Sequence, residues 1–255
     1  MSSLDRLDSF IKEQKIYLKP GEKAPEGVKV LTGRKQGKYY LSSGREAKQE
    51  ENKPQDNAQI EKPISNPEVH GLSGEEWVNS LNEEEKSAVD AWQSHHWDEM
   101  RQYQIKGTGH EDIKNELMNL NNAMNKDGHF QGEVFRGIDG LSDEDYNKIL
   151  NSKTVEWNAH CSSSKDSKVA LGFAAFSHSG KRVLFHVKTK TGVDITPLAN
   201  VSPVGAAFSN QQEVILPKGK KYKVVGNKEA DFKDFYSPKE KVREGKVTVL
   251  TLEEI

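Results

Sequence analysis

The sequence predicts an α+β fold, because helical periodicity fills the stretch from Ser73 to Met124 and strand-like runs fill the stretch from Glu133 onward. Loops rather than regular helices separate those later runs. That order argues against a doubly wound parallel sheet, in which helices and strands alternate.

The helical stretch opens at Ser73, which can cap a helix while Glu76 reaches back as its capping-box partner, and Trp77 and Leu81 then share a face. A second start at Asn82 with Glu85 leads into Ala88, Val89 and Trp92. Ile113, Leu117, Leu120 and Met124 lie at helical spacing and make a third helix. Trp77, Trp92 and Trp97 read as core or interface residues rather than as a ligand box. Strands are expected over Glu133 to Arg136, Val183 to Val187, Glu213 to Leu216, Tyr222 to Val225 and Lys246 to Leu252. One helix interrupts them, capped by Ser142 and carrying Asp143, Glu144 and Asp145 in its first turn, where negative charge suits the helix dipole.

Three domains or segments follow from composition. Residues 44–70 read as a disordered linker, since Gly44 to Pro67 offers a core only Ala47, Ala58, Ile60 and Ile64 and contains three prolines. Residues 1–43 form a small N-terminal segment in which Val28 to Leu41 reads as a hairpin around a basic turn. Residues 71–255 make the main domain. The hairpin's Arg34, Lys35, Lys38, Tyr39 and Tyr40 read as a solvated turn.

Across 255 residues, 37 basic and 39 acidic side chains give a net charge of −2, so no whole-chain field draws the protein to nucleic acid or to an anionic membrane. No apolar run is long enough to span a bilayer. The first residues lack the apolar core of a signal peptide and Cys161 has no second cysteine to pair with, so a reducing, cytoplasmic setting is expected; the chain is also expected to be a monomer. A protein delivered by a dedicated machine would look the same. His95-His96 lacks metal-ligand spacing, and there is no Cys-x-x-Cys, P-loop, Gly-x-Gly-x-x-Gly or Gly-x-Ser-x-Gly; no metal is expected.

Three polar segments beside strands carry the chemistry. In Val134-Phe135-Arg136-Gly137 an arginine ends an apolar strand and can aim a planar guanidinium at an anion, while the glycine permits close approach to the backbone. Cys161-Ser162-Ser163-Ser164 leads into a short amphipathic segment that the serines can cap. In Phe208-Ser209-Asn210-Gln211-Gln212-Glu213 a polar loop ends on a glutamate that opens an apolar strand, and strand alternation puts Gln211 and Glu213 on one face. Each segment alone is ordinary.

Their order is not. Aromatic-Arg-Gly at Phe135-Arg136-Gly137, Ser-x-Ser at Ser162-Ser163-Ser164 and the Gln-x-Glu element at Phe208, Gln211 and Glu213 resemble the arginine-serine-glutamate class of mono-ADP-ribosyltransferases. Serine replaces the usual middle threonine at Ser163, and Gln211 resembles the Gln-x-Glu variant found in clostridial Rho-modifying exoenzymes and related bacterial or phage enzymes. The resemblance covers roughly Gly71 to Val225. It implies two packed, roughly perpendicular antiparallel sheets behind an N-terminal helical layer, with NAD bound between the sheets as co-substrate.

The resemblance also assigns roles. Glu213 stabilises the positive charge that develops on the ribose as nicotinamide departs, and Ser162 orients it. Arg136 clamps phosphate oxygens, joined by Lys181 or Arg182. Gly137 presents backbone to the nicotinamide amide, on which Phe176 stacks. Gln211 faces the acceptor and Phe208 seats the target protein. A glutamate at position 211 would suit an arginine acceptor, whereas Gln211 implies a side-chain amide. The alternatives are an NAD glycohydrolase, in which water takes the ADP-ribose, and a phage or virion structural protein carrying a degenerate transferase-like domain. Retained Arg136, Ser162 and Glu213 speak against degeneracy.

Overall fold

A computed structural model describes residues 15–17, 31–32, 38–41 and 70–255, apart from 95, 127, 176–179 and 237–244. Residues 44–69 of the linker expected over 44–70, the basic turn at Arg34 and Lys35, and Phe176 therefore lie outside the described residues. The chain divides into two compact units, Lys12–Ile64 and a larger one that contains Ser65–Ile255. In the smaller, β1 (Lys15–Tyr17), β2 (Leu31–Thr32) and β3 (Lys38–Leu41) pair antiparallel in the order β1-β3-β2.

The larger unit begins with β4 (His70–Gly71) and a layer of four helices: α1 (Gly74–Ser80), α2 (Glu83–Ser94), α3 (Trp97–Lys106) and α4 (Glu111–Asn125). Both expected capping boxes form. Glu76 N–H donates to Ser73 Oγ at 3.3 Å while Ser73 N–H donates to the Glu76 carboxylate at 2.8 Å, and the Asn82–Glu85 pair closes at 2.8 Å in each direction. Polar satisfaction at these starts leaves the apolar faces to decide packing. Trp77, Ala88, Val89, Trp92, Ile113, Leu117, Leu120 and Met124 form one buried core, which also takes in Val193, Ile195 and Ile215 from the β half. The indole of Trp77 donates to Ala123 O at 3.0 Å and so ties α1 to α4.

The β half comprises β5 (Gly128–Leu141), β6 (Thr154–Glu156), β7 (Cys161–Ser164), β8 (Lys181–Asp194), β9 (Glu213–Leu216), β10 (Lys221–Asp231) and β11 (Lys246–Glu254). Helix α5 (Asp143–Leu150) starts at Ser142, whose hydroxyl accepts from Asp145 N–H at 3.0 Å. Helices α6 (Ser167–Ala174) and α7 (Thr196–Val201) complete the set. This is the expected α+β architecture. Several strands outrun their sequence signal because β-bulges, such as those in β5–β8 between Phe130 and Gly132 and between Ile138 and Leu141, let pairing continue past breaks in the alternation.

The eight strands of this unit follow the order β4-β5-β7-β9-β8-β11-β10-β6, with β5 also paired to β8. Strands β5, β7, β9 and β8 thereby pair in a closed circuit. Among the described residues all pairings are antiparallel except β8–β11, which is parallel and departs from the all-antiparallel expectation. Cap assignment at α6 differs too: Asp166, not a serine, accepts from Lys168 N–H at 2.8 Å, because Ser162 to Ser164 are committed to β7.

Candidate active site

Register places the central residues. In β7–β9, Ser162 lies opposite Ile215 and Ser164 opposite Glu213. Because Ile215 faces the helical core, alternation sends Glu213 and Ser162 to that same face. Helix α2 ends against it and delivers Trp92 and Gln93.

Glu213 is only 5% exposed. The indole N–H of Trp92 is shared between Glu213 Oε1 at 3.1 Å and Ser162 Oγ at 3.2 Å, and Gln93 Nε2 donates to Glu213 Oε2 at 3.3 Å. From β5, Arg136 is 3% exposed and donates through Nη1 to the backbone oxygen of Ser162 at 2.7 Å. Burial raises the Glu213 pKa above the ordinary carboxylate value, opposed by hydrogen bonds from Ser162, Gln93 and Trp92 and by the charge of Arg136. A carboxylate, a hydroxyl and a guanidinium from three adjacent strands thus meet in one buried cluster.

The loop before Glu213 is braced by α2 and β7. Ser202 Oγ donates to Asp90 Oδ2 at 2.6 Å and accepts from Val204 and Gly205 N–H at 3.2 Å. Ser164 Oγ donates to Gln211 O at 2.6 Å, and Lys165 N–H donates to Gln212 O at 3.1 Å. Gln212 takes a left-handed conformation, φ 48° and ψ 49°, immediately before the strand. Gln211 itself belongs to a 3-10 turn, Ser209–Gln211. Strand alternation therefore does not relate Gln211 to Glu213 as the sequence suggested, since the strand starts only at Glu213.

Three further expectations change. Phe208 is 6% exposed, so its ring is buried rather than presented to a target. Arg182 lies three residues before Phe185, the partner of Arg136, which puts it on the opposite face of β8, stacked 5.4 Å over the Phe232 ring; it does not join Arg136. Lys181 lies 5.6 Å over the Tyr146 ring and 3.6 Å from Asp143. Gly137 has a packing reason of its own: a Cβ there would sit 1.8 Å from Ala170 O in α6.

His160 and Cys161 do not form a nucleophilic pair. Cys161 is buried in the β core, while His160 accepts from Lys218 N–H at Nδ1, 3.0 Å, and lies 2.7 Å from Asn121 Oδ1 through Nε2. Burial, then Lys218 and Arg101, pushes the His160 pKa down to about 4, so its ring is neutral and Nε2 carries the proton. Trp92 and Gln93 are the residues that sequence reasoning missed. Their spacing on α2 marks Trp92 as core, and nothing local in the sequence announces a partner 121 residues away. Among the described residues, no group of three or more His, Cys, Asp or Glu side chains could hold a metal ion, and no helix is long and apolar enough to cross a membrane.

Residues 31–238 match the family model of NAD:arginine ADP-ribosyltransferases. No curated protein matches the chain significantly. Among solved structures, the ADP-ribosyltransferase Vis in complex with an inhibitor is 19% identical, with a TM-score of 0.53 over 70% of this chain and 76% of that one; Vis is a toxin of Vibrio splendidus. Vis in complex with agmatine is 18% identical, TM-score 0.52, over 71% of this chain and 82% of that one. The enzymatic component C2-I of the Clostridium botulinum C2 toxin is 14% identical, TM-score 0.54, over 91% of this chain and 55% of that one.

Proposed function

The chain belongs to the NAD:arginine ADP-ribosyltransferase family, and from that premise we propose that Glu213 is its catalytic carboxylate, that Ser162 and Arg136 complete the site, and that the acceptor is a side-chain amide rather than arginine. The enzyme is an NAD-dependent mono-ADP-ribosyltransferase, with NAD as co-substrate. The bond between nicotinamide and ribose is the one broken, and ADP-ribose is the group transferred.

The observation that carries the site is the burial of Glu213 with a donor on each carboxylate oxygen and Arg136 beside it. A fixed negative charge in a water-poor cluster stabilises positive charge developing on the ribose more strongly than a solvated one would, with little reorganisation at the moment of reaction. The donor set fits such a co-substrate. Glu213 and the Ser162 hydroxyl can take ribose hydroxyls, and the planar guanidinium of Arg136 is matched to phosphate oxygens.

The acceptor reading rests on Gln211. A carboxylate at that position would bind a guanidinium in a bidentate, charge-assisted way, whereas a neutral amide can both donate to and accept from another amide. That reading stands against the arginine in the family's description, so it is tested directly. We further propose a protein target and a toxin or effector role in a reducing cytosol, in keeping with the neighbours in fold.

The test is incubation with labelled NAD and cell lysate, wild type beside Glu213→Gln, with agmatine as an added acceptor. Label on protein from the wild type alone supports the assignment, and equal labelling by both sinks it. Efficient modification of agmatine overturns the amide reading. Free ADP-ribose without labelled protein makes the enzyme a glycohydrolase.

A further inference from the structure

Trp92 is more than a core residue. It is buried among the helices, where an indole N–H needs a partner, and the partner it finds is the site itself. Trp77, equally buried in the same core, sends its N–H to a backbone carbonyl at 3.0 Å.

We infer that Trp92, with Gln93 beside it, is the positioning element for Glu213: the shared indole N–H and the Gln93 amide fix the carboxylate from one helix end and set the direction of the Ser162 hydrogen bond. This rests on the reading of Glu213 as the catalytic carboxylate. An indole N–H can only donate. Where it meets Ser162 Oγ, the hydroxyl must accept, and its own proton is left to donate to Glu213. The same N–H meets Oε1 at 3.1 Å while Gln93 Nε2 meets Oε2 at 3.3 Å, so the two oxygens are held from adjacent residues of α2. Two points define the carboxylate's orientation, and with the Ser162 proton as a third donor the two oxygens keep one lone pair between them for a ribose hydroxyl. Helix α2 is in turn capped by the Asn82–Glu85 box and joined to α4 through the 2.5 Å Glu85–Lys126 pair, so the clamp sits on a braced element.

The geometry has a functional signature. Removing a donor from a buried carboxylate weakens its ionised form, so the lower pH limit of activity moves upward while binding of NAD changes little. Among the described residues, Arg136 on β5 is the charged group whose effect reaches Glu213, and none of the variants alters it.

The experiment compares the full-length protein with Trp92→Phe, Trp77→Phe, Gln93→Met and Glu213→Gln, measuring kcat and KM for NAD across pH together with thermal unfolding. Trp92→Phe keeps an aromatic ring and loses the donor together with part of the indole's volume, a loss that Trp77→Phe reproduces away from the site. It should lower kcat about 10- to 100-fold, leave KM for NAD within about threefold and shift the acid limb to higher pH. Trp77→Phe, the same chemical change elsewhere in the core, should cost stability and leave the acid limb alone. Gln93→Met should move the limb in the same direction as Trp92→Phe and carries the test if Trp92→Phe does not fold. An unchanged kcat, or an unmoved acid limb, in the folded clamp variants overturns the inference. Retained activity in Glu213→Gln instead overturns the reading on which it rests.

Discussion

A Cβ added to Gly137 would lie 1.8 Å from the backbone oxygen of Ala170 and 2.7 Å from the backbone nitrogen of Ala174. Helix α6 thus rests directly on β5 one residue after Arg136, and the glycine is what lets it do so. Gly137→Ala should destabilise the protein by about 2–4 kcal/mol, because the clashing atoms are backbone and cannot rotate aside. Denaturant unfolding measures this. Unchanged stability with only a raised KM for NAD would mean that the glycine serves the ligand and not the helix.

The serine segment separates into two roles. Ser162 Oγ meets the Trp92 indole at the site, whereas Ser163 Oγ donates to Val214 O at 2.6 Å within the β core. Ser162→Ala should lower kcat about 10- to 100-fold with little loss of stability. Ser163→Ala should cost about 1 kcal/mol in unfolding free energy and leave kcat within about twofold. Turnover and melting measured on both variants decide between this division and a shared role.

His160 makes stability depend on pH. Its folded pKa is depressed to about 4 by burial, then by Lys218 and Arg101, against an ordinary value of 6.5. Below pH 6.5 the unfolded chain takes up a proton that the folded ring refuses, so the unfolded state binds more protons and stability falls as pH falls toward 4. The loss attributable to this residue is on the order of 3 kcal/mol across that window. Unfolding free energies at pH 7 and pH 4.5 should differ less in His160→Gln than in the wild type.

Gln211 sets the acceptor in the proposed reading. Gln211→Glu should introduce modification of agmatine, because the new carboxylate can pair with a guanidinium, and should reduce labelling of the native target at least about tenfold. Assays with labelled NAD on both acceptors check this. A variant that gains no agmatine transfer while keeping its target shows that residue 211 does not discriminate.

Much of the fold was legible because its signals are local. Ser73 with Glu76, Asn82 with Glu85, and Ser142 with the acidic turn after it all announce helix starts through contacts three residues apart. Strand β9 was bounded correctly over Glu213–Leu216, an apolar run opened by a polar loop. Phe208 and Arg182 were misplaced for the opposite reason. A polar loop says nothing about which of its rings turns inward, and a basic residue near a strand's start says nothing about which face its alternation will select.

The sequence by itself determined the class of fold and pointed to Arg136 as a phosphate-binding candidate and to Ser162, Gln211 and Glu213 as catalytic candidates, because each sits in a short motif whose order along the chain is itself the signal. Tertiary structure alone decided what surrounds them. The closed pairing of β5, β7, β9 and β8 brings Arg136, Ser162 and Glu213 together, and the packing of α2 against Ile215 turns Trp92 from a core residue into a donor to Glu213. The physical reason is distance along the chain: capping and alternation act over a few residues, whereas burial of a carboxylate is satisfied by whichever donors the completed core delivers.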